Sequence, residues 1–218
     1  PMQSFDDHGA ELTIDLAAMQ ANYRLLAARA GASETAAVVK ANAYGHGMRW
    51  VAQTLSQADA FGVASMEEGI FLREQRIAQP ICLLEGFFHS DELPLIAQHQ
   101  LSMVLHHKSQ LWDIEHARGV SPIDVWLKLD TGMHRLGFSP EQTDEMLNRL
   151  KVCLSIGQVR LLTHLANADN KFDSTTTEQV ERFNKAVNQH RLERSVANSA
   201  GIMSWPSTHM DWVRPGIM

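Results

Sequence analysis

The chain has 218 residues, a formal net charge of −6, and 44% hydrophobic and 20% charged residues. These proportions exclude a disordered or fibrous chain and are those of an ordinary globular protein. The charge gives no basic surface for nucleic acid, and no apolar run approaches the ~20 residues that a membrane span needs. We therefore expect a cytoplasmic domain without nucleic-acid or membrane partners, in which Cys82 and Cys153 stay reduced.

The predicted elements alternate between helices and strands along the chain. The first is a helix over 16–30, where Met19, Tyr23 and Leu26 recur at helical spacing after the candidate N-cap Asp15. Short runs rich in Val, Ile and Leu predict strands at 35–39, 60–64, 81–84, 101–105, 123–129, 159–164, 195–198 and 211–213. Helical patterns separate them at 66–79, 90–98, 108–118, 139–150 and 176–191. Most strands lack polar alternation, as parallel strands buried on both faces do.

This regular alternation predicts βα units and a parallel sheet. A series of eight strands favours a closed (β/α)8 barrel of the TIM type over an open doubly wound sheet. The last predicted strand ends at residue 213 of 218, so no residues remain for an eighth helix after it. We therefore expect one barrel domain over 1–218 that lacks its last helix, exposes an apolar flank there and tends to aggregate.

In a barrel of this kind, the active site lies at the carboxyl ends of the strands. Polar residues follow the predicted strands at these places, and their convergence on one face favours a functional site over a purely structural role. They are Lys40, Glu85, Lys128, Asp130, Arg135, His164, Asn198, Ser199 and Arg214.

Lys40 is the sharpest candidate among them. It leaves a wholly apolar strand and precedes Asn-Ala-Tyr-Gly-His-Gly, a run too small and too polar for core packing. An amine desolvated at a strand end has its lone pair freed for attack on a carbonyl. A lone lysine at a strand end is more often a surface residue, but this neighbourhood favours the chemical role.

Five segments resemble motifs of the alanine racemases and occur in the same order. They are VVKANAYGHG, LKLDTGMHRLGF, THLANAD, NSAG and DWVRPGI, which together reach from Val38 to Ile217. One such segment would be weak, but five in order are highly specific. The chain thus resembles the barrel domain of a family that depends on pyridoxal 5'-phosphate (PLP). The resemblance implies interconversion of L-alanine and D-alanine, which supplies D-alanine for peptidoglycan.

The resemblance also implies a cofactor site built around Lys40. This lysine would hold PLP as a Schiff base and act as the base on one face of the substrate Cα. Tyr44 would hydrogen-bond the cofactor phosphate, and Ser199 with the backbone N–H groups of Gly216 and Ile217 would complete the phosphate site. Loops after the seventh and eighth strands of such barrels commonly cradle phosphate.

Basic residues would complete the implied site, and no metal is implied. Arg214 would face the pyridine nitrogen and, since it stays charged, would leave the ring a weaker electron sink. His164 would join the hydrogen bonds that hold Arg214, and Asn198 would line the same pocket. Arg135 would reach the phenolic oxygen of the cofactor and the substrate carboxylate, which its planar fork suits. Lys128 stands where some family members carry a carbamylated lysine, and the sequence leaves that modification open.

Racemisation needs a second base on the opposite face of the substrate Cα. In the family, this base is a tyrosine of the C-terminal β domain, contributed by the partner subunit of a homodimer. Only Tyr23 and Tyr44 occur here, one at a helical core spacing and the other assigned to phosphate. We therefore expect the chain to be a fragment without the C-terminal β domain, which racemises alanine weakly or not at all.

Three other interpretations stay open. The barrel could act on another small amino acid such as serine, since part of the substrate pocket would lie in the missing domain. It could be a single-domain PLP carrier without strong catalysis, although GMHRLGF and VRPGI resemble the racemase versions of these segments. It could also be a plain phosphate-binding barrel without Schiff-base chemistry.

Overall fold

A computed structural model of the chain describes residues 12–216. The strands are β1 (Glu34–Val38), β2 (Ala60–Val63), β3 (Ile81–Leu83), β4 (Leu101–Leu105), β5 (Ile123–Lys128), β6 (Ile156–Leu162), β7 (Arg194–Asn198) and β8 (Trp212–Arg214). Each pairs in parallel with the next strand in sequence, and β8 pairs with β1 to close the barrel. The predicted (β/α)8 barrel is confirmed.

Helices surround this barrel. The first, α1 (Leu16–Ala30), has the predicted bounds, and the carboxylate of its N-cap Asp15 accepts the N–H of Ala18 at 2.9 Å. Of the others, α2 (Lys40–Tyr44) is a single turn whose backbone is left-handed at residues 41–44. The rest are α3 (Met48–Thr54), α4 (Met66–Glu74), α5 (Leu93–Gln98), α6 (Lys108–His116), α7 (Thr143–Val152), α8 (Thr175–Val187) and α9 (Ser199–Ser204). Short 3-10 turns lie at Ser90–Glu92, Pro140–Gln142 and Pro206–Thr208.

Some element ends differ from the predicted ones. Helix α4 stops at Glu74 because Arg76 has a left-handed backbone (φ 62°) and the N–H of Ile77 bonds back to the carbonyl of Leu72 at 3.1 Å. This type of turn closes many helices. Strand β6 begins at Ile156, earlier than predicted. Its first residues are not fully buried, so the sequence shows no apolar run there.

The barrel wall separates two apolar layers. Outward-facing side chains, such as Phe61 and Leu127, pack against the helices in the main core. The inner faces form a smaller cluster in which Cys82 lies with Trp126 and Trp212. The two indole rings pack edge to face, with their centroids 5.9 Å apart. This inner cluster lies below the carboxyl ends of the strands.

The flank beside β8 is covered, which contradicts the expected open apolar surface. No helix follows β8 within the described residues, but α1 lies over this side of the barrel. Leu26 and Ala30 of α1 pack with Val213 of β8, together with Ala197 and Ile202. Val213 is fully buried as a result. The helix before β1 therefore takes the place that we assigned to a missing helix after β8.

Other expectations concern membranes and thiols. None of the helices between residues 12 and 216 combines the length and apolar character that crossing a bilayer requires. Cys82 and Cys153 are both free thiols, as predicted. Burial inside the barrel raises the pKa of the Cys82 thiol to about 11, so this thiol is unreactive at neutral pH.

Candidate active site

Nine of the ten predicted site residues line one cavity at the carboxyl ends of the strands, with a volume of about 350 Å³. That volume lies in the range of small-molecule sites. Glu85 lines the same cavity, whereas Asp130 does not. The tenth residue, Ile217, lies outside the described residues. The nine are Lys40, Tyr44, Lys128, Arg135, His164, Asn198, Ser199, Arg214 and Gly216.

The two-residue period of the strands explains why these side chains meet. Lys128 and Arg214 stand two residues beyond the inward-facing Trp126 and Trp212, so they belong to the same inner face of the barrel. His164 likewise stands two residues beyond Leu162, which belongs to the same inner cluster. Polar groups therefore form a layer above an apolar floor.

A left-handed turn follows Lys40 directly. Residues 41–44 have φ between 51° and 55°, which costs roughly 1–2 kcal/mol for each non-glycine residue. Glu68 of α4 holds this turn, because its two carboxylate oxygens accept the N–H groups of Ala41 and Ala64, each at 2.7 Å. Since Ala64 follows β2, one carboxylate fixes the ends of two neighbouring strands. The turn brings Tyr44 into the cavity.

Replacing Glu68 with glutamine should destabilise this corner of the barrel by about 1–2 kcal/mol. The amide keeps one acceptor, but its NH2 group faces a backbone N–H that then has no partner. The free energy of unfolding in urea measures the loss. Glu67→Gln is the matched control, because it removes the same charge from the same first turn of α4. Equal stability of the two variants would show that Glu68 does not support the turn.

Three groups converge at one end of the cavity. The hydroxyl of Ser199 accepts the N–H of Gly216 at 2.9 Å. A Cβ at Gly216 would lie 2.7 Å from the hydroxyl oxygen of Tyr44, so a larger residue here would displace the Tyr44 side chain. Asn198 caps α9, since its side-chain oxygen accepts the N–H of Gly201 at 2.9 Å. The result is a cluster of hydroxyl and backbone N–H groups of the kind that binds phosphate oxygens.

Arg214 is almost fully buried at the centre of the barrel. Its guanidinium donates to the hydroxyl of Ser195 and to the carbonyls of Thr163 at 2.7 Å and Val196 at 3.3 Å. Within residues 12–216, no hydrogen bond joins it to the His164 ring, which we expected to hold it. Burial lowers the pKa of Arg214 to about 10, so it stays charged at neutral pH.

The cavity is electropositive. Burial, together with Arg214 and other cations, lowers the pKa of Lys128 to about 8. Burial also lowers the pKa of His164 to about 3, assisted by the charges of Arg214 and Lys128. The imidazole is therefore neutral at physiological pH. A site with this balance favours an anionic ligand.

Arg135 lies on a loop that is shaped by Asp130. One carboxylate oxygen of Asp130 accepts the N–H groups of Gly132, Met133 and His134 at 3.0, 3.1 and 3.0 Å. Although burial opposes it, these hydrogen bonds hold the pKa of Asp130 below its usual value. The loop can thus present Arg135 to the cavity in a fixed geometry.

Sequence reasoning missed the residues that hold the site rather than line it. Glu68 is separated from the turn that it supports by more than twenty residues, and no local pattern predicts this contact. Thr163 acts through its carbonyl, which every residue has. Ser195 could have been found, because a hydroxyl within an otherwise apolar strand needs a partner when buried.

Comparison with known proteins agrees with this geometry. The model of the family described as "Alanine racemase, N-terminal domain" matches residues 14–218. The chain belongs to the alanine racemase family. It is 45% identical over 210 residues to alanine racemase of Vibrio parahaemolyticus, covering 96% of this chain and 59% of that protein. The biosynthetic alanine racemase of Escherichia coli K12 is also 45% identical, with 96% and 58% covered.

Solved structures extend the similarity of this alanine racemase family member. Biosynthetic alanine racemase from Pseudomonas aeruginosa superposes with a TM-score of 0.90 at 40% identity, over 94% of this chain and 57% of that one. Alanine racemase from Bartonella henselae, with covalently bound pyridoxal phosphate, gives 0.83 at 32% identity, over 94% and 61%. The chain therefore spans about three fifths of the length of such relatives.

Proposed function

We propose that this chain is the PLP-binding barrel domain of an enzyme that interconverts L-alanine and D-alanine, in the cytoplasm, to supply peptidoglycan synthesis. The observation that carries the proposal is one cavity that joins Lys40 to the Tyr44–Ser199–Gly216 cluster and to Arg214. An amine and a phosphate site are the groups that hold PLP, and Arg214 would offer a hydrogen-bond donor to its ring nitrogen. The similarity to alanine racemases supports alanine as the substrate.

The cluster of Tyr44, Ser199 and Gly216 fits a phosphate group. Gly216 leaves the space that a Cβ would fill beside the Tyr44 hydroxyl. Burial raises the pKa of Tyr44, so its hydroxyl stays protonated and can donate to a phosphate oxygen. We infer that Asn198, as the cap of α9, positions Ser199 for the same purpose.

Lys40 would hold the cofactor covalently and move the proton at one face of the substrate Cα. When bound, PLP supplies an electron sink that makes this proton removable. Arg214 would face the pyridine nitrogen as a cation that donates a hydrogen bond but not a proton, because its pKa of about 10 keeps it charged. The sink is then weaker than beside a carboxylic acid, which limits side reactions such as transamination.

Arg135 would bind the negative charges on the other side of the cavity, and Lys128 would orient it. The planar guanidinium of Arg135 suits the substrate carboxylate and the phenolic oxygen of PLP. With its pKa at about 8, Lys128 has a substantial fraction of neutral amine near neutral pH, which can add carbon dioxide. We propose a carbamate there that orients Arg135, and a native mass spectrum showing no added carbon dioxide would count against it.

The base for the opposite face of Cα would come from outside the described residues. Tyr23 is buried behind β1, where its hydroxyl bonds the side chain of Thr35, and Tyr44 serves the phosphate cluster. We propose that the longer protein forms a homodimer in which a C-terminal domain of the partner subunit supplies this base. The 218-residue chain alone would then racemise alanine only weakly.

The test compares the 218-residue chain with the full-length protein after both are loaded with PLP. L-alanine is added, and D-alanine is measured with a stereospecific oxidase. We expect rapid racemisation by the full-length protein and little by the chain alone. Serine turned over faster than alanine would reassign the substrate, and PLP binding without turnover in the full-length protein would favour a carrier.

A further inference from the structure

Gln179 of α8 is fully buried and uses its whole side-chain amide. The nitrogen donates to the carbonyl of His164 at 3.0 Å and to the hydroxyl of Thr131 at 3.3 Å. The oxygen accepts the N–H of Ala166 at 2.9 Å. Thr131 lies on the loop that carries Arg135, and the other two partners lie at the end of β6. One side chain therefore links two segments that form the cavity.

The hydrogen bonds beyond Thr131 have a defined direction. Thr163 donates its single hydroxyl proton to the carbonyl of Leu129 at 2.8 Å. Its oxygen must then accept from Thr131, which lies 2.8 Å away. Thr131 has spent its own proton, so its oxygen accepts from Gln179. Gln179 thus donates to Thr131, Thr131 donates to Thr163, and Thr163 donates to the carbonyl of Leu129, so every donor in the series has an acceptor.

This chain of hydrogen bonds reaches three residues of the cavity. Thr131 begins the turn that presents Arg135, and Gln179 fixes the backbone of His164 directly. Thr163 also offers its carbonyl to Arg214 at 2.7 Å. The hydrogen bonds of Gln179 therefore connect it to the segments that carry Arg135, His164 and Arg214. Gln179 is thus connected to Arg135 and Arg214 through Thr131 and Thr163, without contacting either side chain directly.

The packing around Gln179 is equally close. Gly132 follows Thr131 with φ 143°, and a Cβ there would lie 3.2 Å from the Cγ atom of Gln179. Arg182, one turn further along α8, donates to the carbonyl of Thr131 at 3.2 Å. Helix α8 therefore packs closely against Thr131 and Gly132, at the start of the loop that carries Arg135, and Gln179 is the buried centre of that contact.

We propose that Gln179 is a positioning residue that sets the Arg135 loop in register with the carboxyl end of β6. It touches neither cofactor nor substrate and acts through Thr131 and the His164 carbonyl. The proposal rests on the proposed function, because it takes Arg135 to be a ligand of PLP and alanine. Removing a buried amide leaves its hydrogen-bond partners unsatisfied, and a fully satisfied buried network fixes the geometry of the segments that it joins.

Gln179→Met in the full-length protein tests the proposal, since methionine keeps the length of the side chain and removes the amide. With PLP loaded, we expect the KM for alanine to rise roughly 10-fold or more while kcat changes less. The pH midpoint of the visible cofactor band should also shift, because Arg135 would leave the phenolic oxygen. Neither readout responds to a loss of stability alone.

Thr176→Val is the matched control. Thr176 lies one turn earlier on the same buried face of α8, and its hydroxyl has no hydrogen-bond partner among the described residues. This variant should keep both the KM and the band midpoint of the wild type. If Gln179→Met also keeps both, the proposal is overturned.

A second pair of variants serves if Gln179→Met does not fold. Thr131→Ser keeps the hydroxyl and should match the wild type, whereas Thr131→Val should raise the KM as Gln179→Met does. Equal KM values for the two would overturn the proposal. If the wild type fails to load PLP, the proposed function fails. Hydrogen exchange at residues 132–134 then decides: faster exchange in Gln179→Met than in Thr176→Val supports the proposal, and equal rates overturn it.

Discussion

Replacing Lys40 with alanine is expected to abolish the visible absorption band that PLP gives to the wild-type chain. Borohydride should no longer attach the cofactor to the protein, because the amine that forms the covalent bond is gone. The fold should persist, since Lys40 is only partly buried, and a change in unfolding free energy within about 1 kcal/mol is typical of such a site. Absorption spectra and peptide mapping after borohydride treatment measure the effect.

Lys128→Ala tests whether Lys128, rather than Lys40, binds the cofactor covalently. Lys128 lines the same cavity, and its pKa of about 8 makes it the other amine able to attack an aldehyde near neutral pH. We expect Lys128→Ala to retain the band and to yield label on Lys40. If Lys40→Ala keeps the band and the label appears on Lys128, then Lys40 does not hold the cofactor.

Strand and site positions could be predicted because both depend on short stretches of sequence. A parallel strand buried on both faces reads as an apolar run, and the residue that ends it points into the barrel mouth. Lys40, Lys128 and Arg214 were placed in one cavity on this basis, and the structure brings them together. Their chemical roles came from the family resemblance and stay proposals.

Contacts between distant segments could not be predicted. The left-handed turn at residues 41–44 contains no glycine and depends on Glu68 of another helix. The cover over β8 comes from α1, at the far end of the sequence, through Leu26 and Val213. Such choices are made by packing of the whole barrel and leave no periodic signal in either segment.

The depressed pKa of His164 makes the chain sensitive to acid. The ordinary pKa of histidine is 6.5, and in the folded chain it falls to about 3 through burial and the nearby cations. Between these two values the unfolded chain binds a proton that the folded chain does not. Stability is unaffected at pH 7, is lost as the pH falls through this window, and levels off near pH 3. The linkage amounts to roughly 5 kcal/mol at full extent.

His164→Gln should therefore remove much of the acid sensitivity of the cofactor-free chain. Between pH 7 and pH 4, the variant should lose about 3 kcal/mol less unfolding free energy than the wild type. Urea titrations at a series of pH values measure this difference, without PLP, because its phosphate would add negative charge to the cavity. His134→Gln is the control for the loss of an exposed histidine, since its side chain is 80% exposed and pairs with Asp130 outside the cavity; the profile should change far less than in His164→Gln. Parallel profiles for His164→Gln and the wild type would mean that neither burial nor the charges of Arg214, Lys128, Arg135 and Lys40 keep the imidazole from taking up a proton in the folded barrel.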